Sequence, residues 1–253
     1  MLQDKRKICY MSRRLLLDLH LLDIIQSMKQ KISTHSYYPL LLDLKNKKVV
    51  VVGGGGVAER KVLGLLSAGA LVKLVSPKAT ETLVEMASDG LIDHMAKTFI
   101  PEDLDGAWLV ISATDDSDVQ ELVYKEALSK RIFCNVVDQP EFCSFIVPSI
   151  VRRGNLCLSI STGGSCPALA QRLRKELGQS IGPFYGDYVS LLGGLRQLII
   201  RSNEDPVTRK ELCHSLADPE VMAWVENGEW DRVEKWAVSL CGNEAINIVL
   251  NFR

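Results

Sequence analysis

The stretch KKVVVVGGGGVAERK, residues 47–61, decides how this chain is read. Val49, Val50, Val51 and Val52 form a short β-branched run, the pattern of a strand buried on both faces. The glycines follow at once. Ala58, Val62, Leu65 and Leu66 then recur at helical spacing, and Gly69 closes that segment. The order is therefore a strand, a tight turn and a helix. Gly53 to Ala58 fits G-x-G-x-x-A, and each position has a physical reason. Gly53 permits the tight turn. Gly55 has no Cβ, so a pyrophosphate can approach the backbone. Ala58 is small enough for helix and strand to pack closely. Free N–H groups at the helix start, near Gly56 and Val57, then face the phosphate charge. The expected ligand is a nicotinamide dinucleotide.

Working outward, strands and helices alternate. Residues 71–75 read as a second strand, 80–88 as a helix and 91–95 as a weak third strand. Residues 107–113 (AWLVISA) and 132–137 are strong buried strands, separated by a helix over 118–129. This alternation predicts βαβ units, a parallel Rossmann sheet and helices on both faces. After Pro140 the pattern changes. Residues 145–151 and 155–161 are two strand-like runs around Arg152-Arg153-Gly154, spaced as an antiparallel hairpin. Residues 162–167 lead into a helix over 168–177 that Ser165 or Cys166 would cap, with Pro167 in its first turn. From Gly182 onward the chain reads as helices broken at Asp205-Pro206, Asp218-Pro219 and Asn227-Gly228. The fold class is thus α/β, a Rossmann sheet followed by a small dimerisation region and a helical C-terminal region. The boundaries are an N-terminal extension 1–37, a nucleotide domain 38–147, a dimerisation region 148–181 and a helical region 182–253.

The carboxylate that grips a ribose 2′-hydroxyl should sit about 20 residues after the glycines, at the end of the second strand. This chain has Ser76-Pro77-Lys78 there. Lys78 would tolerate a 2′-phosphate, so either NAD or NADP fits these residues. Ser112-Ala113-Thr114-Asp115-Asp116 ends the fourth strand, where small polar groups such as Thr114 line a dinucleotide. Asp115 or Asp116 is equally suited to capping the next helix.

Bulk properties exclude several classes. The chain has 253 residues and a formal net charge of −1, so no basic field draws it to nucleic acid or an anionic membrane. Its seven cysteines are odd in number and widely spaced, with no CxxC, which points to free thiols in a reducing, cytoplasmic setting. The four histidines show no metal-ligand spacing, so no protein metal site is expected. No run reaches a membrane span of roughly 18–20 apolar residues. Residues 13–25 (RRLLLDLHLLDII) are interrupted by Asp18, His20 and Asp23, which favours a short amphipathic helix over a signal peptide.

Four segments now stand in order: VVVGGGGVAERK (50–61), ISATDD (111–116), RIFCNVVDQPEFCSFIVPSIV (131–151) and SISTGGSCPALAQRLR (159–174). Together they resemble the precorrin-2 dehydrogenase and sirohydrochlorin ferrochelatase family, the N-terminal module of siroheme synthase, over residues 38–195. NVVD and STGGxxP are more specific than the glycine turn. The resemblance implies a homodimer that oxidises precorrin-2, a tetrapyrrole, to sirohydrochlorin with NAD. Some members also insert ferrous iron, and this sequence is compatible with either activity. It places a catalytic aspartate on Asp138, a substrate-side hydroxyl on Thr162 beside Gly163 and Gly164, and NAD contacts on Gly56, Val57, Pro77 and Lys78. Cationic groups near these segments, Arg152, Arg153, Arg172, Arg174 and Lys175, would suit a polycarboxylate substrate. From the residues alone, Asp138 lies at the C-terminal end of a strand, where open α/β sheets place ligands, or else caps the Asp-Gln-Pro turn. Thr162 equally suits a bond to local backbone before a helix. A reading from another class is a regulatory NAD-sensing Rossmann module, which has no need of Asp138 or the STGG segment.

Overall fold

A computed structural model describes residues 37–202 and 205–253. The proposed amphipathic helix at 13–25 lies outside the described residues. The chain divides after Val147 into two compact units.

The first unit is built on five parallel strands, β1 Lys48–Val52, β2 Leu71–Val75, β3 Asp93–Met95, β4 Leu109–Ser112 and β5 Phe133–Val136. Their order is β3-β2-β1-β4-β5. Helices α1 Gly56–Ser67, α2 Glu81–Ser88 and α3 Ser117–Ser129 connect them. The chain runs outward from β1 in one direction, then returns to β4 on its other side. That reversal opens a crevice at the C-terminal ends of β1 and β4. The third strand is shorter than the expected 91–95, because Leu91 N–H turns back to Met86 O and closes α2.

Alternation along the strands divides the core. Val49, Val51, Leu74, Leu109 and Ile111 pack with Ala58, Val62 and Leu65 of α1 and Leu83 of α2. Val50, Val52, Val75, Val110 and Val136 pack on the opposite face with Val123 and Ala127 of α3. Full burial of each such side chain contributes about 1.5–3 kcal/mol. Burial on both faces is why the strands read as apolar runs rather than alternating ones.

Two polar devices fasten the sheet margins. Asp103, 3% exposed, accepts from Lys73 Nζ at 2.7 Å and Lys97 Nζ at 2.8 Å. It also accepts from Ile100 N–H at 3.1 Å. It thereby ties β2 to the segment after β3. Along β5, side chains and backbone of residues 143–145 take the place of a sixth strand. Ser144 N–H donates to Cys134 O at 2.8 Å. Cys134 N–H donates to Ser144 Oγ at 2.8 Å, and Asn135 Nδ2 donates to Phe145 O at 3.0 Å. This is why the expected strand over 145–151 begins only at Ser149: its first residues serve β5, and Pro148 has no N–H.

The second unit begins with an antiparallel hairpin, β6 Ser149–Arg153 and β7 Leu156–Ile160. Helix α4 Pro167–Ser180 follows, then α5 Tyr185–Ser202, α6 Pro206–Ser215, α7 Pro219–Glu226, α8 Trp230–Cys241 and α9 Ala245–Leu250. Asp205 and Asp218 cap α6 and α7, each with a proline in the first helical position. Leu191, Leu195 and Ile199 of α5 are fully buried within this unit, against Val221, Val233 and Val249. Their apolar stripe is internal core. Among the described residues, no helix is long and apolar enough to cross a membrane.

Burial pushes the Asp103 carboxyl up, but hydrogen bonds from Lys73, Lys97 and the Ile100 N–H outweigh it and hold the group below its ordinary value of 3.8. A depressed carboxyl contributes stability that is fully present above the unfolded value and is lost as pH falls through the folded one. Asp103→Ala should cost about 2–3 kcal/mol at neutral pH in urea unfolding, because two ammonium groups lose their buried partner. Asp103→Asn should also flatten the fall in stability below pH 4 or so; an unchanged acid limb would contradict this.

Candidate functional site

The glycine turn occupies the crevice. Gly53, with φ +108°, lies so close to the end of β4 that a Cβ there would be 2.3 Å from Ala113 O. Its N–H donates to Val75 O at 3.0 Å. Gly54 is pressed against the loop after β2: a Cβ would come within 2.0 Å of Lys78 O and 2.9 Å of Ser76 Oγ. Gly54 O in turn accepts from Thr80 N–H at 2.9 Å. Gly55 differs. A Cβ added there meets nothing within 4 Å, so its open side is free for a ligand.

Gly55 is the N-cap of α1 and has no side chain to satisfy the helix. Its carbonyl receives Glu59 N–H at 3.0 Å. The N–H groups of Gly56, Val57 and Ala58 therefore point out of the helix without intrahelical acceptors. An uncapped helix start beside an open glycine fits a pyrophosphate in shape and in charge.

The loop after β2 closes on itself. Ser76, buried, donates its hydroxyl to Lys78 O at 2.6 Å, while Pro77 and Lys78 are exposed. Ser76 thus shapes the loop through its hydroxyl. Thr80 caps α2 and donates to Glu59 Oε2 at 2.6 Å, which links the first turns of α1 and α2. After β4, Thr114 is half-buried and its carbonyl accepts Gln120 Nε2 at 2.7 Å. Of the two candidate caps for α3, Asp116 serves, accepting from Asp118 and Val119 N–H. Ser112 Oγ, fully buried, has no hydrogen-bond partner among the described residues.

Asp138 follows β5 on this same edge, since β1, β4 and β5 are parallel. It is exposed and adopts φ +63°, a left-handed backbone rare outside glycine but several-fold commoner for aspartate. Its carboxylate accepts no hydrogen bond among the described residues. The turn is closed instead by backbone, Gln139 N–H to Val136 O at 3.3 Å. Beside it, Cys143 Sγ receives Val136 N–H at 3.3 Å and donates towards Gln139 O or Val136 O, both at 3.2 Å. Burial pushes the Cys143 thiol up, and pushes Cys134 up to about 12. Neither is a nucleophile at neutral pH.

Lys61 completes this corner. It precedes Val62, which packs in the same cluster as Val137 and Phe145. Burial and then Arg60 pull the Lys61 ammonium below its ordinary value, while Asp138 and Cys143 oppose that pull. A half-buried cation thus feels the free carboxylate.

In the second unit, Thr162 Oγ1 accepts from Cys166 N–H at 3.1 Å and Thr162 O accepts from Ser165 N–H at 3.1 Å. Gly163 and Gly164 have φ +62° and +87°, a turn that side chains resist. Cys166 is the N-cap of α4 but makes no side-chain cap; Thr162 holds its N–H instead. Of the five candidate cations, Arg172 is engaged by Glu176 at 2.7 Å. Among the described residues no group of three or more His, Cys, Asp or Glu is placed to hold a metal ion.

Residues 40–149 match a family model described as "Putative NAD(P)-binding", and residues 153–180 match one described as sirohaem biosynthesis protein, central. A siroheme synthase of Aeromonas hydrophila subsp. hydrophila is 45% identical over 163 residues, which are 64% of this chain and 35% of that one. A siroheme synthase of Methylobacillus flagellatus is 44% identical over 161 residues, covering 64% and 34%. The solved structure of SirC, a precorrin-2 dehydrogenase, matches with a TM-score of 0.66 and 28% identity, over 79% of this chain and all of that one. The chain is thus similar to siroheme synthases over about two thirds of its length and to a precorrin-2 dehydrogenase in sequence and fold. It spans about a third of the length of the curated siroheme synthases it matches. The match over residues 40–149 supports a nicotinamide dinucleotide as the cofactor class.

Sequence reasoning passed over Gly54, the most confined glycine of the turn, because the motif leaves that position free. It also passed over Lys61. The signal for Lys61 was its place one helical turn after Ala58, on the side of α1 next to the buried Val62. Gly54→Ala should destabilise the first unit and abolish dinucleotide binding together, since two backbones must separate. Gly55→Ala should leave thermal unfolding unchanged and weaken NAD binding about tenfold or more in calorimetric titration. Equal stability losses in both variants would refute the distinction.

Proposed function

We propose that this chain is an NAD-dependent dehydrogenase that oxidises precorrin-2 to sirohydrochlorin. One observation carries the reading. An open glycine turn and an unpaired, exposed carboxylate, Asp138, stand on one edge of one sheet, in a chain that matches a precorrin-2 dehydrogenase over that enzyme's whole length.

In this reading Gly53 sets the turn, and the N–H groups of Gly56 and Val57 bind the pyrophosphate beside Gly55. Ser76, Pro77 and Lys78 border the adenosine end, and Thr114 borders the crevice from β4. The nicotinamide, when bound, supplies the hydride acceptor. The substrate loses two hydrogens, one as hydride and one as a proton, and Asp138 accepts the proton. Its carboxylate is free to do so because backbone, not side chain, closes its turn. The Lys61 ammonium adds a positive charge close to that site. In the second unit, Thr162 Oγ1 already accepts a hydrogen bond, so its O–H is left to donate to substrate. Gly163 and Gly164 keep the adjoining turn clear of side chains.

The dinucleotide is NAD rather than NADP in this proposal, which rests on the family resemblance, since no carboxylate follows β2 and Lys78 is compatible with both. The proposal includes a homodimer formed through residues 148–181. A two-stranded hairpin is marginal by itself, and Ile150 and Leu169 of this region are exposed.

Under anaerobic conditions, wild type with precorrin-2 and NAD should yield NADH and sirohydrochlorin. Asp138→Asn should lower kcat about a hundredfold or more while NAD affinity stays within about twofold. NADP should bind more weakly than NAD. Added ferrous iron then tests metal insertion. Wild type that binds NAD yet leaves precorrin-2 unchanged would overturn the reading in favour of a nucleotide-sensing module.

A further inference from the structure

The second unit contains a cleft of about 310 Å³ between β6 and the last turns of α4. Arg152, Arg153, Arg174 and Lys175 line it with Gly178 and Gln179, and no Asp or Glu is among its lining residues. The four cations have two different duties. Arg153 is part of the frame: Nε donates to Ile181 O at 2.9 Å, Nη2 to Gly178 O at 2.7 Å and Nη1 to Arg152 O at 3.0 Å. It fastens the hairpin to the C-terminal end of α4, where exposed carbonyls attract a cation. The side chains of Arg152, Arg174 and Lys175 have no hydrogen-bond or ion-pair partner among the described residues. The nearby acid on α4, Glu176, is occupied by Arg172.

Like charges gathered in one cleft repel, and nothing in the cleft offsets them. An anion would. Two guanidinium forks suit planar, paired oxygens, and an ammonium adds a point charge. The volume is at the low end for a ligand site and takes the acidic arms of a molecule rather than a macrocycle. Most cation clusters on a helix surface are simply solvated. Here the frame is different, because two carbonyl contacts from the end of α4 to Arg153 fix β6 against α4 and so hold the cleft walls together.

We infer that this cleft is a carboxylate-binding site that takes the acidic side arms of the tetrapyrrole through Arg152, Arg174 and Lys175. The assignment rests on the proposed function for the identity of its ligand. The sequence offered five cations without distinguishing them; the geometry selects three to meet the ligand, gives Arg153 to the scaffold and Arg172 to a surface pair.

The test uses the full chain and the triple variant Arg152→Gln, Arg174→Gln, Lys175→Gln, with sirohydrochlorin as the binding probe, followed by tryptophan quenching at several salt concentrations. All three sites lie at the cleft wall without partners, so folding should be preserved, which thermal unfolding checks. The expected result is binding weakened about tenfold or more, with a shallower salt dependence. KM for precorrin-2 should rise while kcat changes little, and NAD affinity should hold, a split that general unfolding would not give. The octamethyl ester of sirohydrochlorin, which lacks the negative charges, should lose discrimination between wild type and variant. Wild type that turns over precorrin-2, beside a triple variant with the same KM and sirohydrochlorin affinity, defeats this assignment and leaves the proposed function standing. Wild type that neither turns over precorrin-2 nor binds sirohydrochlorin defeats both. If inorganic pyrophosphate binds through these three residues and sirohydrochlorin does not, the cleft is a phosphate site and the carboxylate assignment falls.

Discussion

The turn between β1 and α1 has no space for a methyl group at two successive positions. Gly53 abuts Ala113 O, and Gly54 abuts Lys78 O. These two contacts bring together the ends of β1, β2 and β4, which are far apart in sequence. Everything else at the candidate site follows from that convergence. It sets α1 so that its uncapped start faces outward, and it leaves Gly55 as the one open glycine of the three. The packing on both sheet faces then secures the arrangement, with Val62 and Leu65 below α1 and Val123 below α3.

The corner at the end of β5 is organised differently. There the backbone is held by hydrogen bonds with the thiol of Cys143 and the hydroxyl of Ser144, which accept from Val136 and Cys134 N–H, so Asp138 is spared any side-chain bond. A carboxylate that stabilised its own turn would be less available to a substrate. The left-handed φ of Asp138 is consistent with that division, since local strain is maintained by neighbours rather than by the side chain itself.

Much of this was legible in the chain. The valine run, the glycine spacing and the Asp-Pro breaks each carry a local steric or hydrogen-bonding reason, and the elements formed where those reasons applied. The antiparallel hairpin was legible from its spacing, but its first strand was drawn too early. Phe145 reads as the first residue of that strand, yet it lies in a bend whose backbone groups are used by β5. Nothing in the local pattern announces a partner ten residues upstream. Position 54 was hidden for a related reason: its confinement comes from the carbonyl of Lys78, a contact made only when β2 lies beside β1. The internal role of Leu191, Leu195 and Ile199 also needed the structure, because an apolar stripe looks the same whether it faces its own core or a partner.

The side-chain seam along β5 also bears on how the protein behaves in a crowded solution. A parallel sheet ends in a row of N–H and C=O groups that could recruit a strand from another molecule. Ser144 consumes those groups of Cys134, and the Cys143 thiol those of Val136, within the chain itself. The seam is irregular, since part of it runs through a hydroxyl and a thiol, so it cannot be copied by a regular strand. On this side the sheet is therefore closed to templated growth, and association between molecules is left to other surfaces.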